Sequence, residues 1–96
     1  MPSGRYYNPL DAFRGGRHGM ADGPIDIEHF SKITSGDTAW KRFYFLLDNE
    51  GRLRNFHNGL EIDKLWKAVY RGCAEHDVPI PDRMKPHAKM LGVIVP

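Results

Sequence analysis

The sequence predicts an α+β fold, a small antiparallel sheet of three to four strands packed against one main helix. Three observations predict it. Residues 40–57 read as a central β-hairpin, dense in aromatic side chains on both sides of a polar turn. Residues 59–77 carry the three-to-four-residue apolar period of an amphipathic helix. Short apolar segments at 25–33 and 89–95 alternate or end in β-branched residues, which suits further strands. With 96 residues, 41% of them hydrophobic and 27% charged, the chain fits one domain and is too apolar for general disorder.

Taken in order, residues 1–23 hold five glycines and two prolines and keep no period, so they form an irregular arm ahead of a body at 24–96. In 25–33, a strand places Ile25, Ile27, His29, Ser31 and Ile33 on one side. A helix instead puts Gly23 and Pro24 at its start, with Ile27, Phe30 and Ile33 as a stripe. The alternation is the cleaner match. Thr34–Asp37, "TSGD", makes a loop. Trp40–Leu47 is the most strand-like run, "DNEG" at 48–51 fits a hairpin turn with Gly51 in a left-handed position, and Arg52–His57 returns. If Leu47 pairs near Leu53, then Phe43, Phe45, Leu47 and Leu53 face the core. Arg42, Tyr44, Leu46, Arg54 and Phe56 then share the other side.

Asn58 opens the clearest helix, since Asn58 and Glu61 have the spacing of a capping box. Ile62, Leu65, Trp66, Val69 and Cys73 make its apolar face. Asp63, Lys64, Lys67, Arg71 and Glu75 lie off that face, with Asp63 and Lys67 placed for an i,i+4 ion pair. Pro79 and Pro81 stop the helix. Residues 79–88 form a proline-rich connector, and 89–95, "KMLGVIV", a final strand.

The same residues narrow the function. The five histidines show no helical metal-pair spacing, and there is no Cys-x-x-Cys, so no metal site or cofactor is expected. Asp26 and His29 would make only a two-ligand site. Cys73 sits on the apolar face of the best helix, where a small buried residue fits better than a nucleophile. Asp48 and Glu50 belong to a turn, and no serine elbow or phosphate loop is present. "GGRHG" at 15–19 lacks the Lys-Ser/Thr of a phosphate loop. The chain is therefore expected not to be an enzyme.

Two surfaces are expected to bind. On the hairpin, Arg42, Tyr44, Arg54 and Phe56 could share a solvent face, with aromatic rings for stacking and guanidinium groups for phosphates. On the arm, Tyr6, Tyr7, Arg14 and Arg17 are of the residue types enriched at protein interfaces, and an arm of this kind can also be exchanged within a homodimer. The run "WKRFYFLLDNEGRLRNF" resembles the second and third strands of a pleckstrin-homology domain. That resemblance implies a phosphoinositide grip by the basic loop near Lys32 and Lys41–Arg42. The family's later strands and its closing helix have no counterpart here.

Net charge is only +2, which is modest for a nucleic-acid domain. A partner protein is thus favoured over nucleic acid. The expectation is a small non-catalytic binding protein, of the kind phage and mobile elements encode as accessory proteins or as inhibitors of host machinery. The alternative is an RNA or single-stranded DNA binder using Arg42, Tyr44, Arg52, Arg54 and Phe56. One cysteine and no long apolar run point to a cytoplasmic protein with no membrane partner, in the host cytoplasm if a phage encodes it.

Overall fold

In the computed structural model, which describes residues 23–96, the chain is helical, with no strand among those residues. The elements are α1 (Ile27–Phe30), α2 (Gly36–Leu53), α3 (Gly59–Glu75), a 3-10 turn (Asp82–Met84) and α4 (Lys85–Met90). The expected sheet-plus-helix fold is therefore corrected to a helical one. The expected arm at 1–23 lies outside the described residues except for Gly23.

The expected hairpin is the single helix α2. Ser35 caps it, its hydroxyl accepting from the Thr38 N–H at 3.2 Å, and Asp37 sits in the first turn where a carboxylate favours the helix dipole. Ala39, Trp40, Phe43, Leu46, Asn49 and Leu53 are buried, a helical repeat running straight through the supposed turn. "DNEG" is helix interior. Asn49 is nearly inaccessible and donates to the Phe45 carbonyl one turn back, 2.9 Å away. The continuous apolar run Phe43–Leu47 fits both periods, so length and composition have to decide. Residues 40–57 contain no valine, isoleucine or threonine, so aromatic residues alone carry the strand signal there. With no hairpin, the pleckstrin-homology resemblance falls as well.

The short α1 replaces the expected first strand. Asp26 is its N-cap, with Oδ1 accepting from the His29 N–H at 3.2 Å. The helix α3 starts where the capping box places it. The Glu61 N–H donates to Asn58 Oδ1 at 2.8 Å, and the Asn58 N–H donates to Glu61 Oε1 at 3.1 Å. Its end shows a Schellman motif: Asp77 takes a positive φ of 60°, and the Val78 N–H returns to the Cys73 carbonyl at 2.8 Å.

A second Schellman motif ends α4, with Gly92 at φ 87° and the Val93 N–H bonded to the Ala88 carbonyl at 2.9 Å. The expected final strand is thus helix end plus tail. In that tail Val93 and Val95 are buried and Ile94 is 77% exposed. The alternation is real, but no neighbouring strand among the described residues pairs with it.

The helices α2 and α3 form an antiparallel pair joined by residues 54–58. Cys73 lies against the Ala39 carbonyl, and Phe43 meets the rings of Trp66 and Tyr70 at 5.7 and 6.2 Å. Trp66 stacks on Tyr70 at 5.4 Å, and His87 from α4 packs edge-on to both rings. The Tyr70 hydroxyl and His87 Nδ1 share a hydrogen bond of 2.8 Å. Each large side chain sealed here contributes roughly 1.5–3 kcal/mol by burial. Gly72 gives α3 a notch into which Ile33 fits: a Cβ there would come within 2.7 Å of Ile33 Cδ1.

Candidate docking surface along the third helix

Of the expected hairpin face, two members are spent inside the molecule. Arg42 Nη1 donates to the carbonyls of His29, Phe30 and Lys32 at 3.2, 2.6 and 2.5 Å, and its guanidinium lies 5.2 Å from the centre of the Phe30 ring. It closes the C-terminal end of α1, where the helix leaves carbonyls without partners and the dipole favours a cation. Partial burial lowers its pKa, yet a guanidinium stays charged. Tyr44 packs its ring on Trp40 and Phe43 at 5.1 and 5.0 Å, and burial raises its pKa.

The other two members stay at the surface. Arg54 is paired with Glu50 at 2.7 Å, one helical turn away, and Phe56 is 43% exposed in the turn after α2. The four residues thus do not form the shared face that a hairpin would give. Tyr6, Tyr7, Arg14 and Arg17 lie outside the described residues.

The structure instead brings together residues along α3. Leu60, Lys64, Lys67 and Arg71 recur every three to four residues and therefore line one side of the helix. Leu60 is 82% exposed. Lys64, Lys67 and Arg71 form no ion pair with a described residue, and the expected Asp63–Lys67 pair is not made. Beside this row runs a groove of about 820 Å³ between α1 and α3. Ile27, Ile33, Ala68 and Gly72 supply its apolar lining, Glu28, Glu61 and Glu75 add carboxylates, and Lys64, Lys67 and Arg71 line it as well.

Two polar anchors hold α1 as the far wall of the groove. Arg42 grips its C-terminal carbonyls, as described above. At the other end, the Ile25 N–H donates to Nε2 of the buried His57 at 2.9 Å. A backbone N–H can only donate, so Nε2 carries no proton and Nδ1–H points to Glu61 Oε1, 3.3 Å away. Glu61 thereby serves both the α3 cap and this anchor.

Among the described residues no group of three His, Cys, Asp or Glu side chains could hold a metal ion. Cys73 is inaccessible, and burial pushes its thiol up to about 12, the opposite of an activated nucleophile. Among the described residues no helix is long and apolar enough to cross a membrane.

Sequence reasoning sets Lys64, Lys67 and Arg71 aside as surface charge. The signal that could find them is Leu60, a large apolar residue in register with the cations on the polar side of the clearest helix. No protein family, curated protein or solved structure matches the chain.

Proposed function

We propose that this chain is a non-catalytic binding protein that associates with a partner protein through the exposed side of α3 and the groove beside it. One observation carries the reading: a row of three cations without ion-pair partners among the described residues, headed by an exposed leucine, beside an apolar-floored groove. Protein interfaces combine an apolar centre with a polar rim. The role is that of an accessory or inhibitory protein working in a cytoplasm, where a single buried thiol stays reduced.

A nucleic-acid role draws less support. Arg42 and Tyr44 are committed to internal contacts, and Glu28, Glu61 and Glu75 face the same groove as the cations.

The test is site-directed photo-cross-linking in cells that produce the protein. A photoreactive residue replaces Leu60, Lys67 or, on the exposed side of α2, Asp48. The expected outcome is one shared protein adduct from positions 60 and 67 and none from 48. Equal labelling from all three positions, or none from any, would refute the docking surface.

A further inference from the structure

The geometry points to the chemistry of the partner: we infer that the α3 surface receives an acidic amphipathic helix, with carboxylates along one row and apolar side chains along the next. The inference rests on the docking reading above and adds to it the identity of the docked segment.

Charge comes first. Lys64, Lys67 and Arg71 have no ion-pair partners among the described residues, so a facing carboxylate breaks no existing pair with them. The groove itself is mixed in charge. Glu61, Glu75 and, from α1, Glu28 line it together with the three cations. A polyanion carries negative charge all round and would meet these carboxylates as well as the cations. A helix can place its carboxylates in a single row over Lys64, Lys67 and Arg71. It then turns its apolar row to Ile27, Ile33 and Ala68 in the same groove.

Spacing comes second. Along α3 the three cations are separated by three and then four residues, rises of about 4.5 and 6 Å and about 10.5 Å in all. A partner helix lying alongside repeats its own same-face residues at that same spacing. An extended segment repeats its same-face side chains every 6.6–6.8 Å, so three of them span roughly 13 Å and drift about 3 Å out of register. The helix fits without drift.

Apolar contacts come third. Leu60 continues the cation row by one turn and is 82% exposed, so an apolar residue at the matching end of the partner row would cover it. The groove floor of Ile27, Ile33 and Ala68 takes the partner's apolar row. The helix-in-groove mode of recognition uses anchors spaced in this way.

The experiment pans a phage-displayed library of short peptides against the full chain. Synthetic copies of the enriched peptides are then titrated into the chain and into a Lys64→Gln/Lys67→Gln/Arg71→Gln variant. The substitutions are at exposed or rim positions and keep much of each side chain, and circular dichroism checks that the helix content is unchanged. The expected result is enrichment of peptides with Asp or Glu at i, i+3 or i+4, and i+7 beside an apolar row. Their binding should weaken by about tenfold or more in the variant, and should weaken further with added salt.

Three outcomes would overturn the inference: enriched peptides without that acidic row, binding unchanged in the variant, or no enrichment. If positions 60 and 67 still cross-link to one protein in any of these cases, the docking surface stands and only the partner's chemistry is wrong. If cross-linking fails as well and a mixed oligonucleotide pool binds instead, both readings fall in favour of nucleic acid.

Discussion

Gly51 and Gly72 both lie inside helices, yet the same substitution should separate them. At Gly51 a Cβ would meet nothing within 4 Å, and no positive φ is required there. Gly51→Ala is expected to stabilise the protein by about 0.5–1 kcal/mol, because alanine loses less backbone freedom on folding. A hairpin turn with Gly51 left-handed would give the reverse sign, so denaturant unfolding of this variant also tests the fold. At Gly72 the new Cβ would press on three atoms of Ile33 within 3.0 Å. Crowding of this kind costs about 1–3 kcal/mol, which outweighs the helix gain of roughly 1 kcal/mol. Gly72→Ala is therefore expected to destabilise, and adding Ile33→Ala should remove that penalty. A penalty unchanged in the double variant would mean that Ile33 does not fill the notch.

At the scale of elements, α1 has little stability of its own. Four residues cannot sustain an isolated helix, so its two anchors and its packing must hold it. Arg42→Met keeps the stem but removes the donors to three carbonyls. Hydrogen bonds from charged groups are worth about 1.5–3 kcal/mol, so α1 should open more often. Hydrogen exchange should speed up at the amides of Phe30, Ser31 and Lys32 and stay unchanged within α3; unchanged exchange in α1 would contradict the clamp.

The same scale shows what could be read from the sequence. The start of α3 and its apolar face were legible, because a capping box and a clean helical period depend on neighbouring residues alone. The helix α2 is ambiguous in the sequence for a physical reason: five consecutive apolar residues, Phe43–Leu47, satisfy strand and helix periods alike. The polar "DNEG" then looked like punctuation, although it is a helix segment that buries only Asn49. The spacing of Ala39, Trp40, Phe43, Leu46 and Leu53, with Ser35 as cap, held the answer. The site was less legible still. Whether Arg42 meets solvent or three carbonyls depends on where α1 lies, which no local pattern encodes.

Over the whole molecule, folding removes two acidic groups from water. Burial pushes the Tyr70 hydroxyl from 10.0 up to about 12, and the Cys73 thiol from 9.0 up to about 12. Both are held neutral, so the unfolded chain loses these protons at lower pH than the folded one. Their contribution to stability is present in full below about pH 9 and is lost as pH rises towards 12. Denaturant midpoints should fall across that window, and a thiol reagent at neutral pH should label Cys73 only as fast as the core opens. Rapid labelling of the native protein would contradict the burial of this face of α3.

The turn at 54–58 has a consequence for how the molecule assembles. It brings α2 and α3 together across five residues, so the pairing that builds most of the core closes a short loop and forfeits little chain entropy. A chain whose main contacts are this local belongs among fast folders, and its described residues leave no unpaired sheet edge exposed while it waits. On the docking reading proposed above, the face of α3 offered to a partner is complete soon after the hairpin of helices has closed.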